Sequence, residues 1–299
     1  MIKNVFVTGA TGFIGFHLCN KLYQEGYRII ALGRKDENKI TCQEFYTGSK
    51  VSWEDISHID AFFHLASIDD PNEKEDNILY ANYHMPISMF KKAAERGCTQ
   101  FIYASSVSVY GNSPTPFLES QTLNPINFCA KSKTMFEDFA SDFSNRNKIS
   151  CVGLRLTEVF GTHESHKGKS ASLVNRLFKS IYKDESVKIF GKDIVKDWVY
   201  VKDVINAMFL ASKYKGVDIF NIGSGNSLTA AKIVEIINRK MKKNIRPEYP
   251  TLNTDKYQGE VVVNIEKARN KLKYHPQYLV EDGIEDLKRV VVKNQAKSH

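Results

Sequence analysis

The hydrophobic positions of the chain fall first into one rhythm and then into another. Asn4–Thr8 (NVFVT) is a short β-rich run with no polar alternation, the pattern of a parallel strand buried on both faces. Glycines follow, and Leu18, Leu22 and Tyr23 then mark the apolar face of a helix. A second strand is predicted at Arg28–Leu32. The alternation continues with AFFHLA near 61–66, a helix around 85–96, a strand at 100–105 (QFIYAS), a helix from about Pro125 to Asp142, and a strand at 150–156 (SCVGLRL). Strand–helix alternation at this spacing predicts an α/β fold built on a doubly wound parallel (Rossmann) sheet.

After Gly161 the rhythm breaks. THESHKGKSAS (162–172) is a polar loop, and a helix near 172–183 follows. DWVYV (197–201) and DIFNIG (218–223) read as strands, and Thr229–Lys240 as an amphipathic helix. The remainder mixes short strands, turns and a terminal helix. Residues 1–161 are therefore expected to form a dinucleotide-binding domain, to which the chain returns at about 190–223. Residues 162–189 and 224–299 are expected to form a smaller α/β substrate-binding domain. The polar tail KNQAKSH is expected to fray, and the basic run Arg239–Lys243 reads as a solvated face.

Composition narrows the class. The 299 residues are 42% hydrophobic and 25% charged, which fills a core and excludes a disordered or fibrous chain. A net charge of +8 favours acidic partners. No helix-turn-helix, zinc or RNA-binding signature accompanies it, so small phosphates are expected rather than nucleic acid. The five cysteines (Cys19, Cys42, Cys98, Cys129, Cys151) are widely spaced and form no C-x-x-C pair. Neither a disulfide framework nor a metal site is expected. The first residues run straight into a strand rather than a cleavable leader, and no apolar run approaches the ~18 residues of a spanning helix. These features predict a cytoplasmic protein with no membrane partner.

The first candidate chemistry is Gly9-x-x-Gly12-x-x-Gly15, placed between the first strand and the first helix. Such glycines permit a tight turn and close approach of a pyrophosphate, which then meets the free N–H groups of the helix N-terminus.

TGATGFIG at this position resembles the extended short-chain dehydrogenase/reductases, the nucleotide-sugar epimerase, dehydratase and reductase family. Further stretches extend the resemblance over nearly the whole chain. Asp60-Ala-Phe-Phe-His64-Leu65-Ala66 is similar to the family's D-x-V-x-H-L-A strand. Asn82 falls where the family has an Asn opening the next helix. Ser105 to Gly111 is similar to its S-S-x-x-V-Y-G segment. Leu154-Arg155, Gly161, Val201-x-Asp203 and Phe220 to Gly225 match later signposts. For the cofactor, the resemblance implies contacts from Gly9, Thr11, Gly12, Phe13, Ile14, Gly15, Leu65, Ala66, Asn82 and Lys133.

The type of cofactor is read at the end of the second strand. An acidic residue about 20 positions beyond the glycines would hydrogen-bond the ribose hydroxyls of NAD. Here Gly33 stands at that place, and Arg34 and Lys35 follow. Losing the carboxylate removes repulsion against a 2′-phosphate, and a guanidinium binds that phosphate in bidentate fashion. NADP(H) is therefore predicted over NAD(H); the alternative is that Arg34 and Lys35 are only a charged loop tip.

The catalytic segment departs from the family. There a Tyr-x-x-x-Lys pair on one helix face moves a proton while hydride is transferred, with a nearby Ser or Thr on the sugar oxygen. Here P-x-x-x-Y-x-x-S-K appears as Pro125-Ile-Asn-Phe-Cys129-Ala-Lys-Ser132-Lys133, so Cys129 stands in the tyrosine position. Sliding by one would bring Phe128 into that place but pair it with Ser132. Ser106 aligns with the substrate-oxygen hydroxyl. Three readings stay open. Cys129 is the acid, its thiol starting near ~8.5 against ~10 for tyrosine and lowered further by Lys133. Alternatively Ser106, Ser108, Glu158 or a water relay takes over. In the third, the site is inactive.

Related dehydratases carry T-D-E-V-Y-G, whereas Ser106 to Gly111 holds no carboxylate, which disfavours dehydration. The family's L-R-x-x-N-x-Y-G-P appears here with Glu158 for Asn, and its R-D-F/Y with Lys196 for Arg. Ser106, Ser108, Glu158 and Lys196 are thus the candidate substrate contacts, and a negative charge at Glu158 would repel a diphosphate unless it points away or pairs. An NADP-type strand end and a missing tyrosine both fit one-way reduction better than epimerisation. The resemblance thus implies an NADPH-dependent 4-ketoreductase of a nucleotide-linked 6-deoxy sugar, such as a dTDP-4-keto-6-deoxyhexose. The alternatives are an epimerase and a non-catalytic NADP-binding regulator. The family also implies a homodimer through helices near 85–96 and 126–142. There Met85, Met89, Phe90, Met135, Phe136 and Phe139 supply either contact surface or core.

Overall fold

The computed structural model describes residues 3–34, 40–48, 51–70, 72–251 and 259–296. Lys35, one of the two basic residues assigned to the cofactor phosphate, lies outside them. Its first half alternates β1 (Asn4–Thr8), α1 (Phe13–Gln24), β2 (Arg28–Gly33), β3 (Glu44–Thr47), β4 (Ala61–His64), α2 (Glu75–Leu79), α3 (Met85–Glu95), β5 (Gln100–Ser106), α4 (Phe128–Asn147) and β6 (Ser150–Leu156). A π-helical turn, Tyr80–His84, joins α2 to α3. Then come β7 (Glu158–Phe160), α5 (Leu173–Tyr182), β8 (Val187–Lys188), β9 (Val195–Tyr200), α6 (Val201–Ala211), β10 (Val217–Ile222), β11 (Ser227–Thr229), α7 (Ala230–Met241), β12 (Pro247–Glu248) and α8 (Val280–Ala296).

The doubly wound sheet is present. Seven strands run in the order β3-β2-β1-β4-β5-β6-β10, and all their pairings are parallel. Parallel strands between two helical layers bury both faces, which is why successive residues of AFFH are all buried. Phe63 packs into one apolar cluster and Phe62 into the other. On the second face Phe6, Phe62 and Phe101 stack across three adjacent strands at 5.1 and 5.0 Å, and Phe90 of α3 lies 3.5 Å from Phe101. Each such ring pair adds about 0.5–1.5 kcal/mol beyond simple burial.

The chain returns to the main sheet through β10, beside β6. β9, from the same return stretch, instead pairs with β7 and β11 in a separate three-stranded sheet. β8 and β12 form a third pair. Met89, Phe90 and Phe136 belong to the buried core, whereas Met85 and Phe139 pack against it partly exposed. Met135 is half-buried. No helix among the described residues is long and apolar enough to cross a membrane.

Candidate active site

The carboxyl ends of β1 and β4 frame a crevice where the strand order reverses, the place where doubly wound sheets bind ligands. Gly9 leaves β1 at φ 67°, and a Cβ on it would meet the Leu65 and Ala66 backbone at 2.8 Å. A Cβ on Gly15 would lie 2.1 Å from the Gly9 carbonyl. The turn and helix therefore close together only without side chains. Gly12 caps α1 with no side-chain hydrogen bond, and no acidic residue stands in the first turn. The helix N–H groups stay available to an anion, so a dinucleotide's diphosphate fits this cradle. Phe13 is buried behind it and Ile14 is half-buried against the core.

Thr8 ties β1 to the exit of β4. Its Oγ1 lies 2.8 Å from His64 Nδ1 and accepts the Leu65 and Ala66 N–H groups at 3.1 and 3.3 Å. Burial lowers the His64 pKa to about 3, so this imidazole is neutral. Asn82 pins the following loop: its Oδ1 accepts from Ile68 N at 2.8 Å, and its Nδ2 donates to Ile68 O and to Ser132 Oγ. Ser132 in turn donates to the Cys129 carbonyl at 2.8 Å. Asn82 thus braces the crevice wall, with both ends of its amide engaged.

At the end of β2, Gly33 is buried and Arg34 is exposed. A Cβ on Gly33 would fall 2.6 Å from Thr11 Cγ2 and 2.7 Å from Thr11 Oγ1. The side chain of Thr11 fills the space in which an acidic residue's stem would begin.

Lys133 sits on the cavity-facing side of α4. It lines an open cavity of about 280 Å³ with His64, Ala66, Ser67, Asn82 and Ser105. Its Nζ pairs with Asp69 Oδ1 at 2.9 Å. The ion pair with Lys133 holds the Asp69 carboxyl below its ordinary range. Asp69 was missed in the sequence, because an acidic loop residue looks the same whether it is solvated or paired.

Cys129 corrects one expectation. Its Sγ points at the Asp70 carbonyl oxygen at 3.5 Å. Burial, with the Asp69 charge, pushes the thiol up, and this outweighs the lowering by Lys133. Burial first, and then the Asp69 carboxylate paired with Lys133, are the physical reasons the lysine does not activate the thiol. Ser106 Oγ accepts the N–H of Ser108 at 3.1 Å, which leaves its own O–H free to donate.

Glu158 and Lys196, the two substitutions in the substrate half, form an ion pair of 2.7 Å across β7 and β9. The charge that would repel a diphosphate is paired, and the lysine that would attract one is spent on it.

The polar loop after Gly161 is built, not loose. The buried Glu164 accepts from Gly161 N at 3.0 Å, Ser172 N at 2.7 Å and Ser172 Oγ at 2.9 Å, and also from Asn175 Nδ2. The loop lies on α1: His163 stacks on Phe16 at 3.7 Å, and Lys167 stands 5.5 Å from the Phe13 ring centre. The spacing Glu164, Ser172, Asn175 carried this signal, but polar residues at irregular intervals read as solvated loop. Among the described residues, no group of three or more His, Cys, Asp or Glu is placed to hold a metal.

Comparison with known proteins agrees with this geometry. Over 307 residues the chain is 28% identical to dTDP-4-dehydro-6-deoxyglucose reductase of Escherichia coli, covering 95% of this chain and 96% of the relative. It is 28% identical over 315 residues to ADP-L-glycero-D-manno-heptose-6-epimerase of Brachyspira hyodysenteriae, covering 97% and 98%. The solved UDP-glucose 4-epimerase of Thermotoga maritima superposes with a TM-score of 0.88 at 25% identity, covering 96% of this chain and 99% of that one. A family match running from Val5 in the first strand to Gly223, just past the last strand of the main sheet, shows that the chain belongs to the NAD dependent epimerase/dehydratase family.

Proposed function

We propose that this protein is an NADPH-dependent reductase of the 4-keto group of a nucleotide-linked 6-deoxy sugar, with a dTDP-4-keto-6-deoxyhexose as its substrate. The observation that carries this reading is the end of β2, where Thr11 fills the place of an acidic side chain at Gly33 and Arg34 stands exposed beside it. A carboxylate there would favour NAD; a guanidinium without one favours a 2′-phosphate. The Escherichia coli relative, a reductase by name, supports the same direction.

When bound, the reduced nicotinamide supplies the hydride. The chain's own residues do the rest. The glycine turn and the α1 N-terminus take the diphosphate, and Arg34, with Lys35, takes the 2′-phosphate. Lys133 would hold the nicotinamide ribose from the cavity side, and Ser106, whose Oγ accepts from Ser108, would donate its O–H to the sugar's ketone oxygen. Ser108, Glu158 and Lys196 border the sugar, the last two as a neutral pair that binds through hydrogen bonds rather than net charge. We place the enzyme in the cytoplasm as a homodimer through α3 and α4, which light scattering would report as twice the chain mass.

The test is product analysis with NADPH and a panel of 4-keto-6-deoxy nucleotide sugars. Stoichiometric NADPH consumption with a 6-deoxyhexose product is expected. The second relative, an epimerase of equal identity, favours one rival. An epimer formed without net cofactor consumption would establish that rival, and tight NADPH binding with no turnover would establish a regulator.

A further inference from the structure

We infer that Lys133, held by Asp69, is itself the proton donor that fills the place of the missing tyrosine; this rests on the reductase reading above. The other candidates are turned elsewhere. The Cys129 thiol faces the Asp70 carbonyl and lies outside the cavity wall. Glu158 is engaged by Lys196. Ser106 Oγ accepts the Ser108 N–H, and among the described residues no charged side chain is hydrogen-bonded to it to renew a lost proton.

Lys133 has both an opening and a supply. Its side chain is 11% exposed and lines the cavity at the ends of β4 and β5. Its partner Asp69 is 69% exposed and reaches solvent. One side of the ammonium therefore meets the cavity and the other meets a carboxylate in contact with water. In the reduction, hydride adds to the C4 carbonyl carbon and the C=O π electrons move to oxygen. An N–H bond of the Lys133 ammonium breaks and an O–H bond forms. The neutral amine then regains a proton from water along the Asp69 carboxylate. The hydride would come, with its electron pair, from a C–H bond of the bound reduced nicotinamide, which would be oxidised as the ketone is reduced, so that each turnover consumes one solvent proton.

Several charged groups face this proton. Asp69 stabilises it, and Lys167 acts on Asp69 from the loop after Gly161. Asp70 and Cys129 lie beside it on the neighbouring loop and one helical turn back. His64 underneath is neutral.

Three variants and two readouts test this. Arginine keeps the charge but does not give up a proton, so Lys133→Arg is expected to lower kcat at least about 100-fold while NADPH still binds by fluorescence. Asp69→Asn is expected to lower kcat about 10-fold, because the amine loses its route back to solvent protons, with KM for the sugar little changed. Wild-type kcat in Lys133→Arg, or a loss in Cys129→Ala as large as in Lys133→Arg, overturns the assignment. If the wild type reduces no sugar, the reductase reading fails. A wild type that reduces the sugar while Lys133→Arg keeps its kcat overturns the Lys133 assignment alone.

Discussion

At the end of β2, Thr11 and Gly33 share one space, and the Thr11 side chain fills it. A Cβ at Gly33 would come within 2.6 Å of Thr11. Gly33→Asp alone is therefore expected to weaken NADPH binding without improving NAD binding. Adding Thr11→Ala opens the space, and the double variant is expected to prefer NAD. Isothermal titration with both cofactors checks this; a switch in the single variant would show that Thr11 does not control the position. The Glu158–Lys196 pair is expected to couple by about 1 kcal/mol in a double-mutant cycle on stability, since it is half-exposed. Glu158→Asn or Lys196→Ala alone unpairs a charge, and additive losses would deny the coupling. Each of these substitutions was legible in the sequence. Their pairing was not, because nothing local links position 158 to position 196 until β7 and β9 lie side by side. Cys129 was legible as a departure from the tyrosine pattern, but its raised pKa comes from burial and then from Asp69, which no spacing placed beside Lys133.

The elements behind the site are fixed by buried polar links. Ser105, beside Ser106 on β5, donates to Glu137 of α4. Arg155 of β6 grips the same carboxylate through Nη2 at 2.7 Å and Nε at 3.1 Å, and reaches the Tyr110 hydroxyl at 2.8 Å. Tyr110 then donates to Asn221 of β10 at 2.7 Å. Burial works against the Arg155 charge, but the Glu137 carboxylate more than offsets it and raises its pKa. Glu137→Ala leaves that guanidinium buried and unpaired, and urea denaturation is expected to show a loss of about 3–5 kcal/mol. A loss near zero would mean that water replaces the carboxylate. The long elements were legible because each repeats its pattern several times: β5 and β6 appear within one residue of their predicted bounds. β8 and β12, of two residues each, have no room for a pattern. The π turn before α3 is likewise invisible, since its apolar spacing resembles that of the helices on either side.

Across the whole molecule, the sheet order delivers the end of every central strand to one crevice, and neutral His64 sits beneath it. Folding holds this imidazole at about 3 against an ordinary 6.5, so the unfolded chain binds a proton there that the folded chain refuses. Stability is therefore full above about pH 6.5 and falls as pH drops toward 3, by about 1.4 kcal/mol per pH unit. His17, also lowered by burial, adds with the same sign. Above about pH 4.5, where carboxylates are still ionised, His64→Asn is expected to flatten this slope in denaturation curves. An unchanged slope would place the acid sensitivity elsewhere. The strand–helix alternation made this architecture legible from the sequence, and the glycine turn located its crevice. The reading proposed for this crevice is reduction of a 4-keto nucleotide sugar by NADPH. The most direct measurement follows absorbance of NADPH and the sugar product together in a single reaction with a dTDP-4-keto-6-deoxyhexose. One cofactor oxidised per 6-deoxyhexose formed is the expected result; an epimer with no cofactor oxidised would contradict it.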